Sequence, residues 1–249
     1  VGKEFSWAFI LMTFLLLTVT FVLPSPMAPF PRVLDHAYSP TTIAAGSMPL
    51  KPPSPVADWI GGDPERPECI GALNWMLYEL EPTDVVASWW DYGYWITTIA
   101  NKTTLADNGT TNSTQIAQIG EMFMSNETRA IEILRRYNAT YVVVFTTFDS
   151  NGNDIGWGDE GKWRWMARIA GLNESDYGNS TSWNDKGKNT VIYKLMTYGK
   201  ERTIGSSPTV TLNNFVPQTP DSYFSQTAGS PKAYGGAIPL VCVYKIKYS

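Results

Sequence analysis

From Phe5 to Leu23 the chain (FSWAFILMTFLLLTVTFVL) carries no charge and is almost wholly apolar. At 1.5 Å of rise per residue, a helix of about 20 such residues crosses a hydrocarbon core, so the pattern predicts a membrane helix within residues 1–23. A signal peptide is the competing reading. Its apolar stretch is usually shorter and ends at a small-residue cleavage site, whereas this run stops at Leu23-Pro24-Ser25-Pro26. Only Lys3 precedes the run and Arg32 follows well after it, a weak positive-inside signal that leaves orientation open. Residues 24–62, rich in Pro, Ser, Ala and Thr as far as Pro55, read as an extended connector.

Beyond the connector the apolar spacing changes. Between Arg66 and Leu80, Ile70, Leu73, Met76, Leu77 and Leu80 recur at threes and fours and predict an amphipathic helix. Asp84-Val85-Val86-Ala87-Ser88 reads as a short buried strand, Asp91 to Ala100 as the following helix and Thr103 to Ala106 as another strand. Ser113 to Met124 and Asn126 to Tyr137 have helical patterns, the second closing on Arg135 and Arg136, whose charge suits a helix C-terminus. Tyr141 to Phe145 is the clearest buried strand. This succession predicts an α/β layer with some parallel pairing over residues 63–199. Val191 to Met196, Thr209 to Leu212 and Leu240 to Ile246 carry strand and turn signals, so residues 200–249 are expected to form a β-rich extension. The fold class expected is therefore one N-terminal transmembrane helix, then a mixed α/β globular domain with a β-rich C-terminal tail.

Composition narrows the partners. A net charge of −4 and a pI near 5.1 give no basic field for nucleic acid. Ten Trp suit either a dense core or exposed rings that grip a ligand. Cys69 and Cys242 form no CxxC, which argues against a thiolate zinc site; they either pair across the chain or stay buried. His36, the single histidine, lies in the Pro-rich stretch and builds neither triad nor metal site alone.

The most unusual short segment is Trp89-Trp90-Asp91-Tyr92-Gly93-Tyr94-Trp95, placed where a strand gives way to a helix. In the plainest reading Asp91 caps that helix and the aromatics are core or staple residues. Five aromatics in seven positions cannot all turn inward, so at least one ring of the Trp pair is expected near the surface. A carboxylate beside such rings can hold a small hydroxylated group. Farther on, Asp159 to Ile169 (DEGKWRWMARI) reads as a helix capped by Asp159, with Lys162, Met166 and Ile169 on one face. Its bland reading is an ordinary amphipathic helix with a solvated Lys.

WWDYG resembles the signature of the STT3, AglB and PglB oligosaccharyltransferase family. Leu105 to Ile116 (LADNGTTNSTQI) is similar to that family's DNNTxNNTxI segment, and Asp159 to Met166 resembles its DK motif, DxxKxxxM, of archaeal and eukaryotic members. The resemblance covers about Asp63 to Gly199 well and the apolar span weakly, and the short C-terminal part favours the archaeal AglB type. It implies that Trp89, Trp90 and Asp91 bind the hydroxyl of the Ser or Thr two residues after the acceptor Asn. Lys162 would lie nearby, and either Met166 or Ile169 would meet the threonine methyl, with Tyr92, Gly93 and Asp159 in support. The implied activity is transfer of a lipid-linked oligosaccharide, of dolichol phosphate type, to Asn-X-Ser/Thr in a protein or peptide.

Mg or Mn would serve the full-length enzyme through acidic residues in loops of a multi-span membrane domain. Here Asp35, Asp58, Asp63 and Glu65 are scattered, no ligand set is identified, and the chain alone is expected to be inactive. Its opening Val-Gly-Lys-Glu, without an initiator Met, is read as a truncation within a multi-pass cell-membrane protein whose remaining membrane domain is the partner of this part. Asn101, Asn108, Asn112, Asn126, Asn138, Asn173 and Asn179 each head an Asn-X-Ser/Thr triplet, seven of fourteen asparagines. Chance would give roughly two or three, so the excess points to the external face, where glycosylation occurs. The alternative function, a membrane-anchored surface protein that binds glycan through exposed Trp rings, accounts for span, triplets and aromatics, but not for the ordered motifs. A soluble hydrolase lacks both a nucleophile elbow and paired catalytic carboxylates.

Overall fold

A computed structural model describes residues 3–17, 24–25, 28–31, 72–179, 182–218 and 238–248, distributed over two compact units, residues 1–51 and 52–249. In the first unit, helix α1 (Lys3–Leu17) precedes two short antiparallel strands, β1 (Pro24–Ser25) and β2 (Ala28–Pro31). The side chains of α1 that are described are exposed, including Trp7, Leu11 and Phe14. At 15 residues α1 is about 22 Å long, short of a hydrocarbon core about 30 Å thick. Among the described residues no helix is long and apolar enough to cross a membrane. Of the membrane helix expected over residues 1–23, residues 3–17 are described and are helical, and residues 18–23 lie outside the described part.

The second unit is built on a five-stranded mixed sheet. Its strands are β3 (Val85–Ala87), β4 (Thr103–Thr104), β5 (Tyr141–Phe148), β6 (Phe215–Pro217) and β7 (Ile238–Ile246), in the spatial order β4-β3-β5-β7-β6. The β4, β3 and β5 strands run parallel, while β7 is antiparallel to both β5 and β6. All eight residues of β5 are buried, as its near-continuous apolar run YVVVFTTF requires of a strand covered on both faces. The order of strands and helices matches the α/β reading. The expected C-terminal extension, however, supplies a strand next to the centre of this sheet, with Val144 opposite Cys242.

Seven helices flank the sheet among the described residues: α2 (Ala72–Glu79), α3 (Gly93–Thr98), α4 (Ser113–Met124), α5 (Glu127–Arg136), α6 (Trp163–Ile169), α7 (Asp185–Lys188) and α8 (Val191–Thr203). Side-chain caps start α4 and α5, where Asn112 and Asn126 each accept a backbone N–H three residues on, at 3.0 Å. The α4 and α6 backbones approach closely at Gly120, where an added Cβ would lie 2.6 Å from the Met166 carbonyl.

Residues 191–196, expected as strand, form the first turns of α8 instead. Val191, Ile192, Leu195, Met196, Thr197, Gly199 and Thr203 are its buried positions, a helical spacing that outweighs the β-branched start, and the Thr190 hydroxyl accepts the Tyr193 N–H. The boundary placed at residues 199 and 200 falls inside this helix. Thr209 to Leu212 forms no strand; the nearest one is β6, at Phe215. Cys242 is a buried free thiol, pushed up to about 12 by burial, and Cys69 lies outside the described residues.

Candidate functional site

The site starts where β3 ends. After Ala87 the chain stays extended through Trp89, then tightens into a single 3-10 turn, Trp90–Tyr92, before α3 begins. In a 3-10 turn successive side chains point about 120° apart, so neighbours diverge. Trp89 enters the core at 2% exposure, Trp90 is half-buried, Asp91 lies at the surface edge and Tyr92 turns back inside at 3%. The two Trp rings sit 6.2 Å apart, tilted by 49°. Neither the turn nor α3 has a side-chain cap, so the capping role expected of Asp91 is not realised. Its carboxylate is engaged elsewhere.

Gly93 explains how a second segment reaches this turn. A Cβ there would lie 2.2 Å from the Ala106 carbonyl oxygen, so the loop after β4 lies directly on the start of α3. The Asn108 amide then donates to the Asp91 carbonyl at 3.1 Å.

The third segment arrives because β3 is short. It pairs with β5 only at Tyr141 and Val142, and farther along that edge the β5 amides need other acceptors. Two carboxylates supply them. Asp159 accepts the Phe145 N–H at 2.9 Å, and Glu160 accepts the Thr147 N–H at 3.1 Å along with the Thr147 hydroxyl and the Gly156 and Gly158 N–H groups. Asp159 therefore does not cap α6 through its carboxylate. It opens a 3-10 turn, Asp159–Gly161, whose backbone carbonyl takes the Lys162 N–H at 2.9 Å.

Tyr92 joins the segments. Its hydroxyl donates to Asp159 Oδ1 at 2.8 Å and accepts from Lys162 Nζ at 2.9 Å, while Lys162 Nζ lies 2.6 Å from Asp91 Oδ2. The Tyr92 ring stands edge-on to Phe145 and beneath the Lys162 ammonium, 4.6 Å from the ring centroid. Burial drives the Asp159 carboxyl up to about 7, against the pull of Lys162, the Phe145 N–H and the Tyr92 hydroxyl. Burial, followed by the charges of Asp159 and Asp91, likewise raises Tyr92 well above its ordinary value. The outer end of this chain is Asp91, one oxygen held by Lys162 and its side chain 17% exposed, beside the half-buried Trp90. A half-buried carboxylate held in place by an ammonium is equipped to accept a hydroxyl hydrogen.

Lys162, Met166 and Ile169 do not share one exposure. Met166 is fully buried under α4, whereas Ile169 is 40% exposed. Trp165, three residues from Lys162 and four from Ile169, is 59% exposed with the Arg168 guanidinium 5.0 Å from its ring centroid. The outward face of α6 therefore bears Trp165 and Ile169, while Lys162, just before the helix, is only 16% exposed. Trp165 is not among the residues expected from sequence, although its spacing of three from Lys162 was a signal that could have found it. The linking role of Tyr92 was legible only as membership of a motif.

Among the described residues no three His, Cys, Asp or Glu side chains come together. The Asp91 carboxylate pairs with an ammonium, and those of Asp159 and Glu160 are spent largely on backbone amides. This donor set does not fit a divalent cation. Asp35, Asp58, Asp63 and Glu65 lie outside the described residues. A pocket of about 110 Å³ opens nearby between Leu105, Asp107, Thr111, Gln115 and Ile116, but neither Asp91 nor Lys162 lines it.

Residues 82–155 match the family described as STT3/PglB/AglB core domain. The stt-3 subunit of the dolichyl-diphosphooligosaccharide–protein glycosyltransferase of Caenorhabditis elegans is 36% identical over 142 residues, 51% of this chain and 18% of that protein. The STT3B subunit of Oryza sativa subsp. japonica is 37% identical over 139 residues, 51% of this chain and 19% of that protein. The chain thus spans about a fifth of the length of these relatives. Among solved structures, the C-terminal globular domain of an oligosaccharyltransferase from Archaeoglobus fulgidus is 24% identical, with a TM-score of 0.46 over 71% of this chain and 94% of that one.

Proposed function

We propose that this chain is part of an oligosaccharyltransferase, a glycosyltransferase that moves a lipid-linked oligosaccharide onto Asn of Asn-X-Ser/Thr, and that this part reads the Ser or Thr at the third position. The carrying observation is the 2.6 Å contact between Lys162 and Asp91, which joins two motif segments 71 residues apart through Tyr92 and Asp159. In this reading Asp91 accepts the acceptor hydroxyl hydrogen while Trp90 shields the bond from water. Ile169, exposed on the outward face of α6, is the candidate for contact with the threonine methyl, since Met166 is fully buried. The archaeal AglB type, a dolichol phosphate carrier, attachment to the rest of a multi-pass membrane protein and an external location belong to the same proposal. So does a Mg or Mn ion held by other parts of the full-length enzyme.

A site that bonds a hydroxyl rejects acceptors that lack it, whereas one methyl changes affinity by only about 1–3 kcal/mol. In the full-length enzyme Asp91→Ala should weaken binding of an Asn-X-Thr peptide roughly tenfold to a hundredfold, the loss of one charged hydrogen bond. Unchanged peptide affinity would refute the assignment. Retained binding of free oligosaccharide with no peptide binding at all would favour the glycan-binding surface protein instead.

A further inference from the structure

Seven Asn-X-Ser/Thr triplets lie in this chain, and the reading of sequons offered above uses none of them as substrate. The fold sorts six of them; Ser180 and Thr181 of the Asn179 triplet lie outside the described residues. At Asn101, Asn126 and Asn173 both the Asn and the hydroxyl residue two positions on, Thr103, Thr128 and Ser175, are exposed. All three lie at the ends of elements: Asn101 between α3 and β4, Asn126 between α4 and α5, Asn173 after α6. The amide oxygens of Asn126 and Asn173 hold turn N–H groups, of Arg129 at 3.0 Å and of Ser175 at 3.2 Å. Substitution on Nδ2 leaves those oxygens in place, so both turns tolerate it.

Asn138 differs. It is exposed, but the hydroxyl of Thr140 is locked into the sheet edge, accepting the Val85 N–H at 2.9 Å and donating to the Val85 carbonyl at 3.2 Å. A reader that must bond this hydroxyl would have to pull β3 from its neighbour. Asn108 and Asn112 have amide nitrogens already bonded, to the Asp91 carbonyl and to Gln115 Oε1, at 3.1 Å each.

We propose that Asn101, Asn126 and Asn173 of this protein are themselves N-glycosylation sites, and that Asn138 is not. The donor is a lipid-phosphate-linked glycan. The sugar C1–O bond to phosphate breaks, a C1–Nδ2 bond forms, the lipid phosphate leaves with the bonding electrons and the nitrogen gives up one proton, which passes to solvent water. The proposal rests on the reading above for the external face alone and makes no use of Asp91.

The test takes full-length protein from its native membrane, digests it and measures the peptides bearing Asn101, Asn126, Asn138 and Asn173 by mass spectrometry with fragmentation that preserves the glycan. The expected result is a sugar mass increment on the first, second and fourth peptides and a bare Asn138. Thr103→Ala, which keeps Asn101 but removes its hydroxyl, should return that peptide to its bare mass. Two or more bare peptides among the three, or a glycan on Asn138, would overturn the proposal. If all three are bare while Asp91→Ala still loses acceptor affinity, the modification fails and the assigned role of Asp91 stands.

Discussion

Tyr92→Phe deletes one oxygen atom and nothing else from the centre of the site. That oxygen donates to Asp159 at 2.8 Å and accepts from Lys162 at 2.9 Å, in a side chain only 3% exposed, so solvent does not replace either bond. A hydrogen bond to a charged group contributes about 1.5–3 kcal/mol, and one between neutral groups about 0.5–1.5. Which figure applies depends on Asp159. Its folded value of about 7 lies above the ordinary 3.8, so between those limits the folded state binds more protons than the unfolded one. The associated stability is fully present below pH 3.8 and is lost as pH rises through about 7, roughly 4 kcal/mol in all.

The Tyr92 hydroxyl is one of the groups that hold Asp159 down, so its removal carries the carboxyl above 7 and extends the loss to higher pH. Beyond the bond from the Lys162 ammonium, which is lost equally at both pH values, the variant should lose about 1.5–3 kcal/mol at pH 8 and, at pH 5, where Asp159 is neutral, about 0.5–1.5. For a unit of this size that is a fall in Tm of about 3–12 °C at pH 8 and about 1–6 °C at pH 5. Thermal melts of wild type and Y92F at both pH values provide the measurement. An equal fall at the two pH values, or a larger one at pH 5, would refute the buried-carboxylate account.

Gly93→Ala drives a Cβ to 2.2 Å from a backbone oxygen, which no rotamer can relieve, and should cost about 3 kcal/mol or more, read as a lowered urea midpoint. Gly120→Ala meets the Met166 carbonyl at 2.6 Å and should cost about 1–3 kcal/mol in the same assay; an unchanged midpoint for either would show that the segments are not in contact. Cys242, pushed up to about 12, should resist a thiol reagent at neutral pH until the fold opens, and peptide mapping that finds it labelled within minutes in native protein would contradict its burial.

Several elements were legible because local pattern and tertiary environment agree in them. The limits of α4 were read from its apolar spacing, and β5 from an apolar run that only a strand buried on both faces sustains. The start of α8 was misread because Val191 and Ile192 are β-branched, and their preference yields to a face buried against β5 and β7. The place of β7 beside β5 follows from pairing at long range, which no window of sequence reports.

The site divides the same way. The residue types at Trp89 to Asp91 and at Asp159 and Lys162 were visible, and so was their family likeness. Their arrangement was not, because it depends on a strand being too short. With β3 ending at Ala87, the β5 edge beyond Val142 offers amides that burial forbids leaving unpaired, and Asp159 and Glu160 are drawn inward to meet them. A carboxylate so placed calls for a donor, which Tyr92 supplies, and Tyr92 in turn fixes Lys162 against Asp91. The geometry at the surface is therefore set by a backbone requirement in the interior. For that reason a change at Asp159 should disturb Asp91 more than its distance along the chain suggests.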